Sequence, residues 1–272
     1  MSSTRTAPAP GRLPAMTSER GRAHRWGSAI AFEWTKLTGV RSTLWLVLAG
    51  TLLTLGGTLL IGASARASGE NGFATAAPAP LFAVQTISFT QVAVLLVAVF
   101  AFTAEYSNGS IRTTLLSVPG RGRVLIAKSV VLAAMSVVIG SALVLLGTLA
   151  ASAAAAEYGT FTGAQLGHAV LGTAVSLALT SVFVLGVAAA LRSTAGTILT
   201  MFVVLYALSS VLPIFGQGWL TDLGAYLPGT AAGVLVTDAA DPYGSATALA
   251  VLAGWAGAGL GVGYLALRYR DV

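Results

Sequence analysis

The sequence contains no cysteine and only two histidines, and acidic and basic residues together make up 9% of its 272 residues. Without cysteine there are no disulfides, no thiolate nucleophile and no Cys-ligated metal, although this says little about which compartment the loops face. Soluble domains carry roughly 25% charged residues. So little charge, with 56% hydrophobic residues and a mean hydropathy of +0.83, excludes a water-soluble globule. The dipeptide Gly-Lys never occurs, which removes the Walker A phosphate loop. HExxH, GxSxG and paired-carboxylate patterns are missing too. His24 lies in a polar N-terminal stretch and His168 near the end of an apolar run, and both read as solvated or capping residues. The acids Glu70, Glu157, Asp222, Asp238 and Asp241 are spread over three loops with no metal-ligand spacing. Neither a catalytic residue nor a metal site is expected.

What the chain does have is apolar runs of bilayer length. A spanning helix needs about 20 apolar residues, and six runs qualify, at about 44–62, 82–104, 124–150, 166–191, 196–215 and 246–267. The fold class expected is an all-α membrane protein with residues 44–272 as a six-span transmembrane domain. Their interiors hold no Asp, Glu, Lys or Arg except Lys128, about one turn into the third run, where its stem can snorkel to the interface. Residues 1–25, rich in Ser, Pro, Ala and Arg, cannot bury enough surface to offset ordering entropy and read as a disordered tail. Met16 offers an alternative start within it. Over 26–43, Trp26, Ile30, Trp34 and Leu37 share a stripe at helical spacing. That pattern reads as an interfacial helix with tryptophans at headgroup depth, the alternative being a plain extension of the first span.

Charge sets the orientation. Arg5, Arg12, Arg20, Arg22, Arg25, Lys36, Arg41, Arg112, Arg121, Arg123, Lys128, Arg192, Arg268 and Arg270 fall on one side, and only Arg66 on the other. By the positive-inside rule both termini are cytoplasmic, in a multi-pass protein of the cell membrane. The net charge of +6 and pI of about 10.1 therefore report topology and contact with anionic membrane lipids, with no nucleic acid implied. Ala63-Ser64-Ala65 resembles a signal-peptidase site, but the preceding run of about 19 residues exceeds a typical h-region of about 7–15, so the first run is read as a span.

Two further patterns stand out. Between the second and third runs, Glu105 and Tyr106 end an apolar segment, Gly109 permits a turn, and Ile111 to Leu116 can form a short helix stopped by Pro119. This is a shaped loop that presents charge and apolar knobs, or a loop that is basic only for topology. In the last run Gly257 and Gly261, and Gly259 and Gly263, make overlapping GxxxG spacings that let backbones approach closely, within the bundle or across a dimer seam.

The stretch Glu105-Tyr106-Ser107-Asn108-Gly109-Ser110-Ile111-Arg112-Thr113-Thr114-Leu115, then Pro119, Arg121, Arg123 and Lys128, resembles the loop after the second span in ABC transporter permeases of the type-2 exporter class. Glu33-Trp34-Thr35-Lys36-Leu37 and Arg41-Ser42-Thr43 are similar to the N-terminal segment of its bacterial, actinobacterial-like members. Tyr226-Leu227-Pro228-Gly229-Thr230-Ala231-Ala232 is similar to the outer segment before the last span. The resemblance implies a half-transporter that pairs with a second permease subunit, as homo- or heterodimer, and docks an ABC ATPase on the cytoplasmic side. ATP and magnesium would sit on that ATPase, with no cofactor on this chain. Carried over, Glu33, Lys36 and Arg41 on one element and Glu105, Tyr106, Gly109 and Arg112 on another form the docking surface. Short outer re-entrant helices would place 219–232 partly in the membrane. A regulatory or structural membrane protein that moves nothing, and a secondary carrier, are the alternatives. Substrate, ATPase and the role of Asp238 and Asp241 stay open, although apolar spans suit a hydrophobic or amphipathic cargo.

Overall fold

The computed structural model describes residues 18–73, 77–109 and 121–269. Among these the secondary structure is helical, without strands, and six helices are long and apolar enough to cross a membrane. Helix α1 (Ser18–Gly39) is followed after one extended residue, Val40, by α2 (Arg41–Glu70). Next come α3 (Ala79–Ser107), opened by Pro78 and Pro80, and α4 (Arg121–Ala155), which continues through a 3-10 turn to Gly159. Helix α5 (Gly163–Leu191) begins at a capping box, in which Thr162 Oγ1 accepts from the Gln165 amide and Gln165 Oε1 accepts from the Thr162 amide. It ends where Arg192 turns left-handed at φ 54°.

Helix α6 (Thr194–Phe215) starts with Ser193 Oγ accepting from the Gly196 amide, carries a π turn at Val203–Ala207 and closes in a 3-10 turn containing Pro213. Two short helices, α7 (Gly218–Ala225) and α8 (Pro228–Thr237), precede α9 (Ser245–Tyr269). The observed spans run a few residues beyond the apolar runs at most ends. Residues 18–25, expected in the tail, are helical as well: Glu19, Arg20, Arg22 and Ala23 are good helix formers.

Helix α5 is the axis of the bundle, packing on α3, α4, α8 and α9. Its core centres on Leu185 and Val184, with Leu95 and Phe102 of α3 and Leu132 of α4. Lipid gives no hydrophobic drive between helices, so close approach of small residues does the work. On α2 the buried positions are Gly50, Thr54, Thr58 and Gly62, one every turn. Thr54 pairs with Thr90 of α3 at 2.8 Å and Thr58 with Thr86 at 2.6 Å. A Cβ on Gly186 of α5 would lie 2.2 Å from the Gly259 backbone, so α5 and α9 touch main chain to main chain. Gly259 and Gly263 thus pack inside the bundle, while Gly257 and Gly261 point away, with nothing within 4 Å of their Cβ positions.

Helix α8 is drawn into the bundle. Ala231, Ala232, Val234 and Leu235 are buried against α5 and α9, and a Cβ on Gly229 would stand 1.9 Å from the Leu205 carbonyl oxygen. The turn between α7 and α8 is held by Tyr243, whose hydroxyl donates to the Ala225 carbonyl at 2.5 Å, and by the Trp255 indole N–H, which donates to the Tyr226 carbonyl at 2.9 Å.

Candidate functional site

At the end of the bundle that carries α1, three helices bring four opposite charges together. Lys128 of α4 donates to Glu33 Oε2 of α1 at 2.5 Å and also to Glu105 Oε1 of α3. Lys36 of α1 donates to that same Glu105 oxygen at 2.6 Å. Side-chain exposure is 1% for Lys128, 2% for Glu33 and 5% for Glu105, against 30% for Lys36. The chain's only two lysines therefore share one carboxylate oxygen. Helix geometry accounts for α1: Ala29, Glu33 and Leu37 lie four residues apart on its buried face, so an acid placed in that stripe must point at α4. Two cations and two anions sum to zero, which is the condition under which charge tolerates burial.

The last turn of α3 reaches further than this cluster. Thr103 Oγ1 accepts from Thr194 Oγ1 at the start of α6, at 2.9 Å. Arg192, in the α5–α6 corner, lies over the Tyr106 ring at 4.8 Å and donates to the Ala266 carbonyl of α9 at 3.3 Å. Residues 103–106 thereby bind α1, α4 and α6 directly, and α9 through Arg192. Beyond Ser107, Asn108 and Gly109 are exposed, with Gly109 at φ +69° in the left-handed region that a side chain resists.

Of the residues expected on a docking surface, the structure gathers Glu33, Lys36 and Glu105 around Lys128 and turns both acids inward. Arg41 is exposed at the start of α2, Tyr106 is half-buried under Arg192, and Arg112 lies outside the described residues. The snorkelling expected of Lys128 does not occur, because two carboxylates within reach replace the headgroups its ammonium would otherwise seek. Asp238, without a role in the sequence, accepts from Ser245 Oγ at 2.8 Å and lies 3.4 Å from His168 Nε2, joining the end of α8 to the starts of α9 and α5. Among the described residues no three His, Asp or Glu side chains converge as a metal site would require.

Toward the other end of the bundle, α3, α5, α6 and α8 enclose a cavity of about 410 Å³. Gln85, Ser88 and Gln91 of α3 line it. Thr173 Oγ1 of α5 and Tyr206 Oη and Ser209 Oγ of α6, which line it too, are buried without a hydrogen-bond partner. None of its described lining residues is Asp, Glu, Lys, Arg or His. Tyr206 belongs to the π turn, whose extra residue rotates this part of α6 relative to a regular helix; such turns recur at functional sites. Buried hydroxyls with unmet hydrogen bonds cost stability unless something supplies the missing partner. With Gln85, Ser88 and Gln91 among its neutral lining, the cavity suits a neutral group carrying donors and acceptors. Sequence reasoning passed over it, since Ser, Thr and Gln scattered through apolar runs carry no spacing signal until the helices are assembled. Searches against protein-family models and curated proteins find no match to this chain.

Proposed function

We propose that the chain is the membrane-spanning permease subunit of an ATP-binding-cassette exporter, moving a hydrophobic or amphipathic substrate across the cell membrane with a separate ATPase. The carrying observation is the last turn of α3, which ties the segment resembling a docking loop to α1, α4, α6 and α9. A push on the last turn of α3 reaches those spans through these contacts. In this reading both termini are cytoplasmic, Arg41, Gly109 and Arg112 face the ATPase, and a second permease subunit completes the pathway. The acids Glu33 and Glu105 stiffen the docking element from within. The uncharged, hydroxyl-lined cavity is compatible with a neutral or amphipathic cargo and unfavourable to a small ion.

A secondary carrier is favoured by one observation, the buried ionisable cluster, since intramembrane charges often mark ion pathways. Against it, Gln91 in the cavity wall and Glu105 lie fourteen residues apart on α3, roughly 20 Å at 1.5 Å per residue. A coupling ion there would not touch the cargo. Affinity purification from native membranes tests the proposal, with an ABC ATPase expected to co-purify. Arg112→Glu and Arg41→Glu should lower its stimulated hydrolysis and transport while insertion stays normal. Transport driven by an ion gradient without any ATPase would establish the carrier; a protein that binds partners and moves nothing would be regulatory.

A further inference from the structure

Helix α8 walls the hydroxyl-lined cavity with Gly229, Thr230, Ala232 and Gly233, and its last turn adds Val236 and Thr237. Those last two residues also line a second cavity, of about 460 Å³, among Pro78 and Pro80 before and in α3 and Gln165 and His168 of α5. The last turn of α8 is thus a wall that the two cavities share. Two features hold it. A Cβ on Gly172 of α5 would lie 2.2 Å from the Leu235 carbonyl oxygen, so α8 rests on α5 main chain to main chain. One turn earlier on the same stripe of α5 stands His168, which brings its ring to the C-terminal end of α8. There Asp238 closes the helix in the left-handed region at φ 54°. His168 Nε2 is 3.4 Å from Asp238 Oδ1 and has no hydrogen-bond partner. That separation is long for a hydrogen bond, so the charge on the ring decides the strength of the contact.

We infer that His168 and Asp238 form a pH-sensitive latch on the last turn of α8, closed while the imidazole carries a proton and loosened when it is neutral. Histidine is the side chain that changes charge between about pH 5 and 8. An imidazolium is attracted both by the Asp238 carboxylate and by the partial negative charge at the C-terminus of α8. A neutral ring loses both attractions, so the latch holds at low pH and weakens as pH rises. No other charge competes for the ring among the described residues. The start of α3 contributes Pro78, Pro80 and Leu81 to this cavity, and Ser245 at the start of α9 is neutral. Glu157, after α4, engages Tyr158 and Arg66, and Asp241 of the α8–α9 connection makes no ion pair with His168. The side chains of His168 and Asp238 are 34% and 61% exposed, so the pair equilibrates with bulk pH. Release frees Val236 and Thr237 to leave the shared wall and join the two cavities. The latch concerns the position of α8 and holds whether or not the cavity carries cargo.

The chain has no cysteine, so Val236→Cys, at a position 8% exposed, puts a single reporter thiol in the wall. The full chain in lipid nanodiscs, where both faces meet the same buffer, is labelled with a small maleimide from about pH 5.5 to 8. Each rate is divided by the rate of the same thiol in an Asp238→Asn background, which cancels the titration of the thiol itself. Asparagine keeps an oxygen for Ser245 and tolerates the left-handed backbone, so the turn survives the change. Near pH 5.5 the parent should label about threefold more slowly than the Asp238→Asn form, the shift in local opening that one partly exposed ion pair gives. Near pH 8 the two rates should coincide. His168→Gln should match Asp238→Asn at every pH, and the two changes together should do no more than either alone. A ratio of parent to variant that is flat across the range, or a pH dependence that remains when His168→Gln is compared with Asp238→Asn, would overturn the latch. Labelling needs neither ATPase nor substrate, so its outcome is independent of the proposed transport.

Discussion

Replacing Lys128 with Met gives the sharpest test of the ion cluster. Methionine keeps the length and the apolar stem, so the loss of packing is small and the change is nearly pure charge. The structure sets the consequence. Glu33 is 1% exposed and its ion pair is with Lys128, while Glu105 retains Lys36 at 2.6 Å. The substitution therefore strands one buried carboxylate, for which removing a partner costs roughly 3–5 kcal/mol. A lysine that merely snorkels would cost about 1 kcal/mol or less, on the scale of an exposed pair.

Thermal unfolding in detergent, followed by tryptophan fluorescence, separates these outcomes. A loss of about 3 kcal/mol lowers the midpoint by roughly 6–12 °C for a chain of this size. The double variant Glu33→Gln, Lys128→Met should recover about half of that loss, since amide and thioether leave no stranded charge, and the cycle should report a coupling of about 2 kcal/mol. A midpoint for Lys128→Met within about 2 °C of the parent, or strict additivity in the double variant, would refute the cluster as a structural element.

Three further outcomes follow from particular contacts. Gly186→Ala sets a Cβ 2.2 Å from the Gly259 backbone and should destabilise the bundle by several kcal/mol, as backbone overpacking does at about 1–3 kcal/mol or more; Gly257→Ala meets nothing within the chain and should leave monomer stability unchanged. Tyr206→Phe combined with Ser209→Ala removes hydroxyls that have no partner, so stability should hold or rise slightly while substrate transport or binding falls; a large loss of stability would show that those hydroxyls are paired. Thr58→Val breaks the 2.6 Å contact with Thr86 and should cost about 0.6–1.7 kcal/mol, the range for hydrogen bonds between membrane helices.

The number and place of the spans were legible because burial in lipid demands long apolar runs, a one-dimensional signal carried by residues such as Leu95 and Leu185 in their own segments. The orientation of α1 was half legible: Trp26, Ile30, Trp34 and Leu37 suggested one stripe, yet Trp34 is 47% exposed and the buried face runs through Ala29, Glu33 and Leu37. The apolar pattern misled there because an acid with a buried cation behaves as a core residue. Nothing local reveals that cation. Lys128 is 95 residues from Glu33 and 23 from Glu105. The GxxxG spacing pointed to close approach without naming a register; Gly259 and Gly263 meet Phe183 and Gly186 of another helix, and Gly257 and Gly261 meet nothing.

Burying Glu33 and Glu105 also changes what the α1 end offers to a partner. Arg41 and Arg268 are exposed there and Lys36, Arg123 and Arg192 partly so, whereas Glu33 and Glu105 are nearly inaccessible. Counted from the sequence, Glu33 and Glu105 offset these cations; the fold hides both acids, so the accessible charge among the described side chains of this end is positive. A soluble partner that docks on it must present acidic residues, and its association must weaken as salt screens the attraction over a Debye length of about 10 Å at 0.1 M. Measured by co-sedimentation with reconstituted chain, binding of the proposed ATPase should fall steeply above physiological salt, and reversing Arg41 to Glu should flatten that dependence. A partner whose binding is indifferent to salt would have to grip the apolar residues of the loop instead, and the basic face would then serve topology alone.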